Sequence, residues 1–311
     1  MKRTDTLPLG VDVGTVRTRV ALAERDASGR PSLVAVASRP TGGDPANAIA
    51  EARAELATRE RRCVLALAAP DALLRSAAFP AMRRTERIRA ARFEAARFVS
   101  YPLDEAAVRA VPLDRGRCVV GIARRAAVDE RVLAAKRAGL RPLAVDDAAL
   151  ALTRAFAYAD AVVDVGENAT LLVVPGDPVP AVRSFAGGSR SFTAAIAASL
   201  GVDDAAAERR KCSIGLGGAG EHARDALVEQ LASALIEHRA GARAELRAIA
   251  LAGNGARLSG LAAALERAVA IPVRLAVLPS GVSHTLPADI VRAASPDWGL
   301  AYGLALWETA E

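Results

Sequence analysis

The chain is poor in the residues that staple or metallate a fold. Cysteine occurs three times in 311 residues, at Cys63, Cys118 and Cys212, far apart and without CxxC spacing. That argues against a disulfide framework or a zinc site, and for three small buried hydrophobes. The three histidines, His222, His238 and His284, are too dispersed for a catalytic or metal-binding cluster. Aromatic residues make up 4% of the chain against 52% hydrophobic residues overall. The core must therefore be built from Ala, Val and Leu, as where helices pack closely on sheets, and this favours an α/β fold over a β-sandwich. No stretch approaches the ~20 apolar residues of a membrane span. Met1 to Arg19 has no apolar stretch ahead of a cleavage site, so a cytosolic protein without its own anchor is expected.

The length suits two lobes of roughly 150 residues around a cleft better than one core. Net charge is +6, from 41 basic and 35 acidic residues, mostly arginine scattered with interleaved acids, the pattern of solvated helix faces. The densest run is Arg83, Arg84, Arg87, Arg89, Arg92 and Arg97, interrupted by Glu86 and Glu94. With few aromatic platforms, it reads as a solvated or membrane-facing helix, not a nucleic-acid site.

Apolar residues alternate at Leu7, Leu9, Val11 and Val13, turn at Gly14-Thr15 and resume at Val20 and Leu22, which predicts an N-terminal β-hairpin. A helix over 46–60 and a buried strand from Cys63 to Ala69 follow, the latter ending at Pro70. From Asp71 to Arg137 the rhythm changes to a strand near Leu73 to Phe79, a basic helix over Thr85 to Phe98, and two strands at Val108 to Leu113 and Cys118 to Ala123. This stretch is read as an inserted subdomain. A helix from Val128 to Ala138, capped at Gly139, leads through a strand at Pro142 to Val145 into an apolar helix from Ala148 to Ala157. Ala161 to Val174 repeats the opening theme; helices follow near Phe192 to Leu200, Ala219 to Arg239 and Trp298 to Trp307. The expected organisation is a first lobe over 1–70, an insertion over 71–137, the first lobe continued over 138–158, a second lobe over 159–295, and a terminal helix over 296–311 returning to the first lobe.

The informative feature is a repeat. Val11-Asp12-Val13-Gly14 recurs 152 residues later as Val163-Asp164-Val165-Gly166, each copy leaving an apolar strand for a turn. A lone strand ending in Asp-x-Gly is a common turn, but two matched copies imply duplicated lobes. Glycine in such a turn lets backbone N–H groups approach phosphate oxygens, and the hydroxyls of Thr15 and Thr170 can add donors. Asp12 and Asp164, facing each other across the cleft, could hold a hydrated Mg²⁺. Glu208 and Lys211 share a helical face three residues apart, within reach of a ribose and base edge, though such a pair is also an ordinary surface ion pair. The turn Gly253-Asn254-Gly255, followed by Arg257, leaves an apolar strand for an apolar helix and could lie flat against an adenine. It fits neither a P-loop nor a dinucleotide fingerprint.

In order, Gly10 to Thr15, Val163 to Gly166 and Gly253 to Gly255 resemble the phosphate 1, phosphate 2 and adenosine motifs of the actin, sugar kinase and heat-shock chaperone ATPase superfamily. The resemblance implies an actin-like ATPase fold: two RNase H-like lobes with a small inserted α+β subdomain, and ATP between the lobes. Phe93 to Phe98 before Pro102, Ala138-Gly139-Leu140 before Val145-Asp146, and Arg183 to Gly188 resemble, within that superfamily, the PilM family of type IV pilus assembly proteins and its relative FtsA. Arg19 stands where the family often has lysine, and Asn254 replaces the middle glycine of a triplet. The chain lacks FtsA's C-terminal amphipathic helix, which favours PilM. By this resemblance Asp12, Gly14, Thr15, Arg19, Asp164, Gly166, Asn168, Thr170, Gly187, Gly188, Glu208, Lys211, Gly253, Asn254, Gly255 and Arg257 bind ATP, with Asp12 and Asp164 on Mg²⁺. It also implies a cytoplasmic scaffold, peripheral to the inner membrane, that docks the cytoplasmic tail of a PilN-like membrane protein within the pilus assembly platform. A sugar or acetate kinase of the same superfamily is the alternative. It would need a general base near the γ-phosphate, nominally Asp146 or Asp164.

Overall fold

The computed structural model describes residues 5–242, 245–278, 283–284 and 288–308; the outermost residues of the expected first and last segments lie outside these. Strand β1 (Asp5–Thr6) pairs beside an antiparallel meander of β2 (Leu9–Val13), β3 (Arg17–Arg25) and β4 (Pro31–Pro40), followed by helix α1 (Pro45–Glu55) and β5 (Arg62–Leu67). β2 is central and covered on both sides. Leu9 and Val11 point into a core with Ile49 of α1, while Gly10 lies against a helix on the opposite face. Asp44 starts α1 by accepting the N–H of Ala46 at 3.1 Å, with Pro45 preset for the first helical position.

Next come β6 (Ala72–Ala78), α2 (Arg84–Glu94), β7 (Ala106–Pro112) and β8 (Arg117–Arg124), an antiparallel sheet in the order β6-β8-β7. Its core of Ala91, Ala95, Cys118, Val120 and Ile122 is its own. The Arg124 N–H donates to the Asp71 carbonyl at 3.1 Å, so the stretch enters and leaves at one point. Helix α3 (Arg125–Arg137), β9 (Arg141–Asp147) and α4 (Ala148–Ala155) follow, with β9 parallel to β5; Ala134 and Ala135 of α3 pack with Leu9, Val11 and Leu65 in the first-lobe core, so the insertion ends at Arg124 and not at the expected Arg137.

The pattern then repeats. β10 (Ala161–Val165), β11 (Ala169–Val174) and β12 (Ala181–Ala186) make a second meander, followed by α5 (Ser189–Leu200), α6 (Asp204–Ile214) and α7 (Glu221–Ala242). β13 (Ile249–Ala252), α8 (Leu261–Val269) and β14 (Val273–Leu275) complete the sheet. Its order β12-β11-β10-β13-β14 matches β4-β3-β2-β5-β9 strand for strand, antiparallel pairs and parallel pairs included. β15 (Ser283–His284) extends the first sheet along β4, and α9 (Ala288–Ala305) closes the described chain.

The two sheets share one core. Helices α4 and α9 lie between them, so Leu33 and Ala21 of the first sheet and Val162, Leu171 and Val173 of the second join one cluster around Phe156 and Tyr302. The beyond-sheet side of the second lobe packs Phe192, Ile196, Leu231, Leu235 and Leu265.

Several elements differ from expectation. The first helix stops at Glu55, where Ala57 turns the chain with φ +50°. β4 and β12 carry Ala, Ser and Arg on half-exposed faces and show little hydrophobic periodicity; their pairing with β3 and β11 makes them strands. The last helix begins ten residues before Trp298 and runs through Pro296. Cys63 and Cys118 are buried as expected, but Cys212 is exposed, because it lies on the outer side of α6 beside Glu208. No described helix is long and apolar enough to cross a membrane.

Candidate functional site

Strands β2 and β10 deliver their turns to one cleft, a cavity of about 160 Å³ lined by Asp12, Gly14, Thr15 and Arg19 from the first lobe and Asp164, Gly166, Gly253 and Asn254 from the second. The repeat holds in hydrogen bonds as well as in letters. The N–H of Gly14 donates to the Arg17 carbonyl at 3.1 Å, and that of Gly166 to Ala169 at 3.0 Å. A Cβ at either glycine would stand 2.8 Å from Arg17 O or 2.9 Å from Ala169 O, so only glycine permits these closed turns. The N–H of Thr41 then donates to Val16 O at 2.9 Å, and that of Gly187 to Asn168 O at 3.0 Å.

The hydroxyl of Thr170 donates to Gly187 O at 2.9 Å and is fully buried. Its structural counterpart is Thr18, also fully buried and 3.1 Å from the Thr41 hydroxyl. Both threonines therefore knit a meander together behind the turn, and only Thr15 faces the cavity. Thr18 was legible, since it precedes Thr170 by the same 152 residues. Across the cleft, Asn168 Nδ2 donates to Thr15 Oγ1 at 3.5 Å.

The carboxylates crowd. Asp12 Oδ2 is 3.6 Å from Arg19 Nη1; burial raises the Asp12 carboxyl above its ordinary value, while Arg19 and Arg131 oppose the rise. Asp164 is pushed up to about 7, first by burial, then by the charges of Asp12 and Asp297, against Arg19. Asp297 of α9 also lines the cavity and accepts from Arg257 through both oxygens at 3.3 Å. Sequence reading passed over Asp297, which stands in an apolar helix with no motif around it. Among the described residues no group of three or more His, Cys, Asp or Glu gathers as a metal site. A cation here would rest on one or two carboxylates and keep its waters, as Mg²⁺ does.

Of the remaining sequence-derived residues, Gly187, Gly188, Glu208, Lys211, Gly255 and Arg257 are outside the cavity lining, whereas Gly253 lines it. A Cβ on Gly188 would meet Gly166 O at 2.4 Å, and one on Gly253 would meet Asp164 Oδ1 at 2.5 Å, so both glycines press directly on the second hairpin. Gly255 packs on Val165 in the same way. Lys211 donates to Ser189 Oγ at 2.7 Å, to Ser189 O at 3.1 Å and to Thr193 Oγ1 at 2.8 Å, and pairs with Glu208 at 2.6 Å. Glu208 accepts from Thr193 as well. This network binds α6 to the first turn of α5, the helix that starts at Gly188. Asp146 is held by Arg154, and Asp147 caps α4 through the Ala149 N–H at 2.8 Å.

Two duplicated sheets with a glycine hairpin from each meeting at one cleft define a protein of the actin-like ATPase fold. The family model described as type IV pilus assembly protein PilM matches residues 44–309, and the chain belongs to that family. A solved PilM-PilN type IV pilus biogenesis complex is 27% identical, over 96% of this chain and 97% of that one, with a TM-score of 0.84. The ethanolamine utilization protein EutJ from Carboxydothermus hydrogenoformans is 17% identical over 97% and 90%, TM-score 0.57. The (R)-2-hydroxyglutaryl-CoA dehydratase component A of Acidaminococcus fermentans is 12% identical over 97% and 96%, TM-score 0.50. The last two share the fold. No curated protein matches the chain.

Proposed function

We propose that this chain is an ATP-binding scaffold of a type IV pilus assembly platform, at the cytoplasmic face of the inner membrane, where it receives the cytoplasmic tail of a PilN-like membrane protein. The observation that carries the nucleotide part is the convergence of Asp12-x-Gly14 and Asp164-x-Gly166 on one cavity. The donor set suits Mg²⁺-ATP: carboxylates for a hydrated cation, a guanidinium, and glycines where a side chain would block phosphate. The likeness to the PilM-PilN complex supports the tail.

The cavity's 160 Å³ is below the ~300 Å³ at which small-molecule pockets begin. Nucleotide entry then requires the lobes to part, and the Asn168–Thr15 contact is one that must yield. ATP acts in this reading as a ligand that selects a lobe arrangement. Of the two carboxylates a kinase could use as base, Asp146 is taken by Arg154; Asp164 stays at the cleft, and the rate of phosphate release decides between kinase and scaffold.

In calorimetry, Asp12→Ala plus Asp164→Ala should weaken Mg²⁺-ATP binding about thirtyfold or more, with phosphate release by the wild type far below the roughly 1 to 100 per second of kinases. Unchanged affinity in the double variant rejects the site. Because Asp71 and Arg124 are hydrogen-bonded neighbours, residues 72–124 can be replaced by a short Gly-Ser linker. The shortened protein should keep ATP binding and lose the tail in a pull-down; retained tail binding would show that the insertion is not its receptor.

A further inference from the structure

Residues 72–124 contain 11 basic and 5 acidic side chains, so this one segment carries the whole chain's net charge of +6. The rest of the protein is electrically balanced. Within the segment α2 holds four arginines against two glutamates, and it covers one face of the three-stranded sheet with Ala91 buried and Ile88 half-buried. On the opposite side Arg89 and Phe93, four residues apart, share one stripe of the α2 surface, and Arg97 follows in the short 3-10 turn Ala95–Arg97.

Two features set this stripe apart from a merely solvated helix. Both acids are already engaged: Glu86 accepts the Arg83 backbone N–H at 3.0 Å, and Glu94 pairs with Arg97 at 2.6 Å. The side chains of Arg89 and Arg92 are exposed and make no hydrogen bond or ion pair with any described residue. At the centre of the stripe stands Phe93, 77% exposed in a chain with only six phenylalanines. An exposed ring costs free energy in water. Flanked by guanidiniums on long apolar stems, it has the make-up of an interfacial helix, with the ring entering the acyl boundary and the arginines meeting phosphates.

We infer that the outer face of α2 is a docking surface for an anionic lipid bilayer, with Phe93 as the inserted group and Arg89 and Arg92 as headgroup contacts. The inference rests on the proposed function, which brings the chain to a membrane through a partner's tail. It adds a second, direct attachment that orients the scaffold. A nucleic acid would also attract arginines, but a convex helix with one aromatic offers no groove for a backbone and no second stacking platform. Two cations and one ring give weak, reversible binding. It becomes effective when the tail holds the protein near the surface.

The test is co-sedimentation of the full chain with vesicles, in 0.1 M salt and without any partner, comparing 30% phosphatidylglycerol in phosphatidylethanolamine with pure phosphatidylcholine. Binding is expected to the anionic vesicles alone. A charge near such a surface is worth about fivefold in partitioning. Arg89→Glu with Arg92→Glu should therefore lower it by more than about twentyfold, and Phe93→Ser by about tenfold. These positions are exposed, so thermal unfolding of the variants should match the wild type. As a second readout, Phe93→Trp should give a blue-shifted emission increment on anionic vesicles. Equal binding to both vesicle types, or no effect of the Arg pair, overturns the inference. So does tighter binding to a 30-base-pair DNA with Phe93→Ser silent on vesicles, which would make the face a nucleic-acid contact. Tail-peptide binding by the Arg89→Glu, Arg92→Glu variant is expected to be unchanged. Failure of the tail reading thus appears in that titration and not in the sedimentation.

Discussion

Gly303→Val is expected to destabilise the protein by about 3 kcal/mol or more in urea unfolding, at the upper end of overpacking costs. The reason is the layer between the two sheets. A Cβ at Gly303 of α9 would stand 1.9 Å from the carbonyl oxygen of Ala151 in α4, and one at Gly299 would stand 2.2 Å from the Phe156 ring. On the other flank of α9, Gly10 of β2 approaches Ala301 O so closely that a Cβ would be 1.8 Å away. At Gly303 and Gly10 the obstructing atoms are backbone, so relief requires a whole helix to move, and both lobes lean on that helix. Gly241 is the control: nothing lies within 4 Å of its Cβ position, and Gly241→Ala should be neutral or stabilising by up to about 1 kcal/mol. Equal, small effects at both positions would mean that α4 and α9 are not closely packed.

Asp164→Asn should stabilise the ligand-free protein at pH 8 and have little effect near pH 4. In the folded chain the carboxyl is pushed from its ordinary 3.8 to about 7, by burial first and then by Asp12 and Asp297. Between those values the unfolded state has released its proton while the folded state keeps it, so stability falls as pH rises and levels off above about 7. The move would carry roughly 4 kcal/mol in a dry site; Asp164 retains some water contact, and about 2 kcal/mol is expected. The advantage of asparagine should therefore grow across pH 4 to 7 and then stay constant. A difference independent of pH would show that burial does not hold the proton on Asp164. Cation binding needs the ionised form, so Mg²⁺-ATP affinity of the wild type should rise through pH 7.

Much of this was readable in the letters because strands and turns carry local signals. The alternation of Leu9, Val11 and Val13 up to Gly14, and its copy at Val163 to Gly166, predicted two hairpins that fall at β2–β3 and β10–β11. β4 was not readable: its Ala, Ser and Arg positions carry weak hydrophobic contrast, and hydrogen bonding to β3 along its length makes it a strand. Similarly, Pro296 inside α9 looked like a boundary in one dimension. In three dimensions its carbonyl accepts the Gly253 N–H at 2.9 Å, joining the helix to the glycine turn.

Sequence alone determined the duplication, the two aspartates, the glycine turns and the basic segment, because each is a pattern of residue types along the chain. Tertiary structure decided which polar groups are left for a ligand. Thr15 and Thr170 both read as phosphate donors in the sequence, yet the Thr170 hydroxyl is consumed by Gly187 O while Thr15 faces the cavity. Lys211 reads as a surface cation but is 8% exposed and bonded to Ser189, Thr193 and Glu208. Asp297 has no motif, yet α9 carries it beside Asp164. A side chain's donors and charges are assigned by whatever packs within 3 Å, and distant parts of the chain supply those neighbours only when the sheets and helices assemble.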